Sequence, residues 1–181
     1  IPKEKSSKIS SITSLIIPDA HLDKVMHNFE CLKKSWGCDG EIKGSRLTEK
    51  QISDTISLLR PFDVLVEISW INVGHYTTKG VDEYKQSQAD KLWENVTDKH
   101  QEKMVESLED YRKRILKMPN QLFVQAMLSV QHIQEVINKS TWYYCQRMPE
   151  ELGSFVWLVD AKNSSVEKTP FEELWSTLLL P

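Results

Sequence analysis

Phe62-Asp63-Val64-Leu65-Val66-Glu67-Ile68-Ser69-Trp70-Ile71 alternates apolar and other residues with a period of two. Phe62, Val64, Val66, Ile68 and Trp70 fall on one side, as in a strand with one face buried. This reading turns those five inward and sends Glu67 outward to solvent. Upstream, Pro61 stops a helix that opens at Thr48, where Gln51 three residues on completes a capping-box pattern. Ile52, Ile56 and Leu59 form the expected buried face of that helix.

Further toward the N-terminus, residues 10–17 (SSITSLII) read as a β-branched strand broken by Pro18-Asp19. Asp19 is the expected N-cap of a helix carrying Leu22, Val25, Met26, Phe29 and Leu32, and Trp36-Gly37 ends it. Residues 1–8 are Lys/Ser-rich and expected to be mobile. Downstream, loop signals at 72–74 and 77–80 precede a long helical pattern over about 82–118, with Leu92, Val96, Met104, Leu108, Tyr111 and Ile115 recurring every three or four positions. Pro119-Asn120 breaks it, and a second amphipathic helix carries Phe123, Ala126, Met127, Val130, Ile133 and Ile137. Residues 141–145 (TWYYC) read as a short strand. Residues 155–159 (FVWLV) read as a strand buried on both faces that ends in Asp160. Pro170 opens a last helix with Leu174 and Leu178 on one side. The order predicts one α/β domain over 1–181, with a small sheet and a helical insertion at about 82–139.

The chain has 181 residues, 40% hydrophobic and 27% charged, with a formal net charge of −3. That length suits one domain with a proper core. The charge argues against a blanket binder of nucleic acid or membrane, which would be strongly positive, and no apolar run reaches the ~18 residues of a membrane span. Cys31, Cys38 and Cys145 cannot all pair within one chain and show no zinc-finger spacing, so reduced thiols in a cytoplasmic protein are expected. Of the sequons at Asn95, Asn138 and Asn163, the first two fall in helical patterns. The chain starts Ile1-Pro2 and stops at Leu180-Pro181, so a piece trimmed at both ends is expected.

Two places suggest chemistry. Gly40-Glu41-Ile42-Lys43-Gly44-Ser45 holds an acid and a base two residues apart among small residues, where backbone can approach a ligand closely. A carboxylate and an ammonium so placed suit a divalent cation and a phosphate oxygen, although a solvated loop is the commoner use of that spacing. Asp160, at the end of the expected strand, occupies a favoured position for a catalytic or metal-binding carboxylate; the competing reading is the first residue of a turn, 160–163. The histidines form no HxxxH or HExxH pattern, and His100 falls on the apolar stripe as a core or boundary residue. Arg112-Lys113-Arg114 follows Glu106, Glu109 and Asp110 on one helix, as on a solvated face with i, i+4 pairs. No phosphate-binding glycine loop or nucleophile elbow is present.

A strand ending Ile-Ile-Pro-Asp, the element Gly-Glu-Ile-Lys-Gly-Ser before a helix, and a later Leu-Val-Asp-Ala-Lys together resemble the large bacterial domain-of-unknown-function family 3800, related to the RNase H-like superfamily. The resemblance runs from about Ser10 to Asn163. It implies an RNase H-like α/β fold, a small mixed sheet flanked by helices, and metal-assisted hydrolysis of nucleic-acid phosphodiesters. By position, Glu41 and Asp160 would be ligands to Mg²⁺ or Mn²⁺, and Lys43 and Lys162 would face the scissile phosphate, completing a catalytic set of Glu41, Lys43, Asp160 and Lys162. The Asp-Glu-Ser-Gly element that opens the family has no counterpart before Ser10, and its C-terminal Asp would lie beyond Pro181. The alternative is therefore a catalytically silent RNase H-like module that binds a protein partner or nucleic acid. A homo-oligomer formed through the outer faces of the helical insertion is a further expectation; no membrane partner is.

Overall fold

The computed structural model describes residues 9–160 and 169–173. It is an α/β protein. Strand β1 (Ile9–Ile16) leads to α1 (Asp19–Ser35) and α2 (Glu49–Leu59), then β2 (Leu65–Asn72), followed by α3 (Thr78–Lys91), α4 (Glu102–Lys117) and α5 (Asn120–Tyr144). The two strands pair antiparallel as one two-stranded sheet. The residues at 1–8, 161–168 and 174–181, including Lys162, Asn163, Leu174 and Leu178, lie outside the described set; residues 170–173 are helical, as Pro170 predicts.

Local signals that need no distant partner act as read. Thr48 Oγ1 accepts from the Gln51 amide while the Gln51 side chain takes the Thr48 N–H, a complete capping box. Helix α1 ends with the Cys38 amide donating to the Lys33 carbonyl and the Gly37 amide to Lys34, at 3.1 and 3.0 Å. Gly37 sits at φ +70 to allow this 6→1, 5→2 closure.

The residues divide into two compact units. One holds 9–12, 69–133 and the stretch from 157, and so contains α3, α4 and the start of α5. Its buried apolar residues include Val81, Ala89, Phe123, Ala126 and Leu128. Lys85, buried on α3, donates to the Met118 carbonyl at 2.8 Å and to Asn120 Oδ1, tying the end of α4 to the start of α5. A cation at a helix C-terminus is well placed against the orphaned carbonyls there. In the same unit His132 Nδ1 meets Ser69 Oγ at 2.9 Å, both residues buried.

The other unit holds 13–68 and 134–156, with α1, α2 and the end of α5. Val25, Val136 and Tyr144 are buried in it. The N-cap of α1 is Pro18, and the expected Asp19 cap is replaced from far along the chain. The Glu151 carboxylate accepts from the Asp19 and Ala20 amides at 2.7 and 3.1 Å. It thereby satisfies two orphan donors and meets the positive end of the helix.

Several expectations are corrected. In β2 the inward residues are Glu67 and Ser69, each 7% exposed, whereas Val66, Ile68 and Trp70 are 58%, 56% and 65% exposed. The strand is present but its faces are reversed, because Lys139 and His132 on α5 supply the polar partners its odd-numbered residues need. On α2, Ile52 and Ile56 are exposed rather than buried. The long pattern over 82–118 is two helices, α3 and α4, separated by turns near 92–100. His100 lies in that connection, where its ring meets the Thr97 amide at 3.0 Å. Residues 141–145 belong to the end of α5 and the turn after it, not to a strand. Residues 155–159 form no strand, with Val156 and Leu158 87% and 92% exposed. The basic run on α4 behaves as read at Lys113, which pairs with Glu109, whereas Arg112 turns from the solvated face to reach Asp90 of α3 at 3.0 Å.

The reversed strand makes a sharp prediction for thermal or urea unfolding. Ile68→Thr should change stability by less than ~0.5 kcal/mol because the side chain is already in water. Ser69→Ala should cost about 1 kcal/mol through the lost His132 hydrogen bond. Glu151→Ala should cost about 1 kcal/mol through the uncapped α1, with partial recovery in Glu151→Gln.

Candidate functional site

The expected catalytic residues are placed as follows. Glu41 and Lys43 lie in the exposed loop between α1 and α2, and Lys43 caps a single 3₁₀ turn at Gly44–Arg46 with extended backbone. Asp160 is exposed at the end of a stretch without regular secondary structure. Glu41 belongs to one compact unit and Asp160 to the other, and Lys162 lies outside the described residues. Among the described residues, no three or more His, Cys, Asp or Glu side chains are gathered in a way that could hold a metal ion.

A different site is assembled within the second unit. An open groove of about 370 Å³ is lined by Ile16, Leu65, Val66 and Glu67 from the strands and by Lys139, Trp142, Tyr143 and Arg147 at the end of α5 and just after it. One wall follows from the reversal of β2. With Glu67 turned inward, Val66 is left facing water.

The opposite wall follows from helical spacing. Lys139, Trp142 and Tyr143 are three and four apart on α5 and share a face. Arg147, four beyond Tyr143, stacks its guanidinium 4.3 Å from the Tyr143 ring centroid and donates to the Tyr143 carbonyl at 3.1 Å.

The helix end is anchored by an unusual residue. Asp63 adopts a left-handed conformation, φ 51, which Asp tolerates better than most side chains. Tyr143 Oη donates to its carboxylate at 2.9 Å and Tyr144 Oη to its carbonyl at 2.7 Å. The aspartate therefore receives both phenols and fixes the groove wall.

The charges largely cancel. Glu67 accepts from Lys139 Nζ at 2.6 Å, and that hydrogen bond is the main reason the Lys139 ammonium holds its proton to higher pH than usual. Arg147 is the one groove cation with no carboxylate pairing among the described residues. The Asp63 hydrogen bond raises the Tyr143 pKa, with burial adding to it. Burial first, and then the neighbouring Tyr143 and Asp63, push Tyr144 up to about 12. The groove thus offers a broad apolar wall, an exposed indole with Trp142 81% in water, and one net positive charge.

The sequence pattern conceals this site. The β-rich run 141–145 points to a strand for Trp142 and Tyr143, and the alternation at 62–71 points Glu67 to solvent. The signal that could have found it is the i, i+4 pairing of Tyr143 with Arg147, which extends the helical spacing of Lys139. No known family model, curated protein or solved structure matches the chain.

Tyr144 titrates near 10 when unfolded and at about 12 when folded. Its neutral form is therefore favoured by the fold, so its contribution is fully present below pH ~10 and is lost as pH rises toward 12. Alkaline unfolding curves should show stability falling across that window, and Tyr144→Phe should flatten the fall. An equal slope in the variant would assign the loss to other groups.

Proposed function

We propose that this chain is an RNase H-like binding module that takes an extended, apolar segment of a protein partner into the groove of Ile16, Leu65, Val66, Trp142 and Arg147. One observation carries the reading: the groove opens on a two-stranded sheet whose strands have no other strand partner among the described residues, and its wall is apolar and exposed. Neither strand carries the lysine or proline with which proteins often blunt a free edge. An added strand would satisfy the unpaired backbone while alternate side chains enter the groove.

The charge pattern favours a protein segment over nucleic acid. A single-strand binder needs a basic track that follows the phosphates, with bases stacked on aromatics. Trp142 would serve for stacking, but Lys139 is neutralised by Glu67, leaving Arg147 alone. The occupant that fits is therefore an extended, apolar segment with one acidic residue to meet Arg147.

The RNase H-like reading rests on the resemblance carried by Ile-Ile-Pro-Asp, Gly-Glu-Ile-Lys-Gly-Ser and Leu-Val-Asp-Ala-Lys, the last of which does not close a strand among the described residues, and the nuclease reading through Glu41, Lys43, Asp160 and Lys162 with Mg²⁺ or Mn²⁺ rests on the same resemblance. The binding reading has in addition a formed groove.

Residues 153–160 (GSFVWLVD) have the chemistry required of the occupant, so a synthetic peptide of that sequence is a suitable probe. Titrated into the full chain and followed by Trp fluorescence and calorimetry, it should bind saturably. Arg147→Glu and Val66→Asp should each weaken it about tenfold, roughly 1.4 kcal/mol. No binding of the peptide, together with binding of a single-stranded oligonucleotide that Arg147→Glu abolishes, would overturn the proposal in favour of a nucleic-acid module. Metal-dependent cleavage of DNA or RNA that is lost in Asp160→Ala would restore the nuclease reading.

A further inference from the structure

Helix α1 carries a feature that neither the groove nor the resemblance uses. His27 and Cys31 are one helical turn apart on its exposed side, with Nε2 and Sγ 3.7 Å from each other. The helix turns Val25 inward, so the pair sits away from the buried side chain that anchors it. Cys31 is a free thiol, as are Cys38 and Cys145.

At 3.7 Å the pair is in hydrogen-bond contact through sulfur, and the same separation also suits a shared metal. Zinc takes imidazole nitrogen at ~2.0–2.1 Å and thiolate sulfur at ~2.3 Å in tetrahedral geometry, which sets the two donor atoms about 3.5–3.6 Å apart. The observed pair is within ~0.2 Å of that spacing without any change of rotamer. Residues i and i+4 on a helix hold their Cβ atoms about 5–6 Å apart, and the rigid helix fixes this span before any ligand arrives. Donor chemistry points the same way. An imidazole with a thiolate selects borderline or soft cations over Mg²⁺ or Ca²⁺, which take oxygen ligands.

We propose that His27 Nε2 and Cys31 Sγ form a two-point chelate for one zinc-class divalent cation on the surface of α1. Binding exchanges the Cys31 thiol proton for the metal: the S–H bond breaks, an S–metal bond forms, and the proton passes to solvent. Because no third His, Cys, Asp or Glu joins the pair in a metal-holding group among the described residues, water fills the remaining positions. Such an open site binds reversibly and can accept a donor from an incoming molecule, unlike a closed four-ligand structural zinc.

The test uses the full chain with Cys38→Ser and Cys145→Ser, leaving Cys31 as the sole thiol. Titration with Co²⁺ alone should produce the near-ultraviolet thiolate-to-cobalt charge-transfer band, saturating at one metal per chain and bleached by Zn²⁺. Cys31→Ser should abolish the band. His27→Ala should weaken Co²⁺ binding by about tenfold or more. Both substitutions are at exposed positions, so unchanged far-ultraviolet circular dichroism should accompany them. No charge-transfer band at saturating Co²⁺, or an affinity unchanged by His27→Ala, would overturn the proposal.

Discussion

The direction in which β2 presents its side chains is the constraint on which the rest depends. A strand has a side-chain period of two, so choosing which set faces inward fixes every position at once. Here the inward set is Glu67 and Ser69, and each is met by a side chain of α5 within its own unit: Lys139 at 2.6 Å and His132 at 2.9 Å. A buried carboxylate without a partner would be costly. Once α5 supplies the partners at positions seven apart on its length, the opposite register would strand both Lys139 and His132. Val66, Ile68 and Trp70 are then left to solvent as a consequence of polar pairing rather than of hydropathy.

This explains which features were legible. Signals that close within a few residues can be read directly: Thr48 with Gln51, Gly37 behind α1, Pro61 and Pro119 as stops, and the β-branched run of β1. They involve backbone groups that local side chains satisfy whatever the remainder of the chain does. What fails is non-local. Asp19 looks like a cap, but Glu151, 132 residues away, does that work. The alternation at 62–71 correctly gives a strand and incorrectly gives its inner face, because the deciding partners lie on a helix some seventy residues on. The β-rich run Trp142-Tyr143-Tyr144 is helical because Tyr143 and Tyr144 must reach Asp63 from the end of α5, a tertiary demand that outweighs strand propensity.

The candidate site divides in the same way. Glu41 and Lys43 were found by composition, and the structure confirms only that they share an exposed loop. Whether a carboxylate pair makes a metal centre depends on approach to within a few ångströms, a property that spacing in sequence does not carry. The groove is the reverse case. None of its residues is conspicuous alone, and it exists only because the fold brings Leu65, Val66 and Glu67 of β2 together with Lys139, Trp142 and Tyr143 of α5 and with Arg147 just beyond it.

Magnitudes indicate what kind of partner that groove can hold. Burying a Val- or Leu-sized side chain fully gains about 1.5–3 kcal/mol, and Val66 and Trp142 are the groove residues that still have most of that gain to make. Two such burials supply roughly 3–6 kcal/mol, against an association cost of at least ~4 kcal/mol. Apolar contact alone therefore barely offsets the lost freedom. The additional terms must come from backbone pairing along a free strand edge and from a carboxylate brought to Arg147. Both are directional: they select an extended chain over a compact ligand and an acidic one over a basic one. The strand register that leaves Val66 in water thus also determines how specific the partner must be.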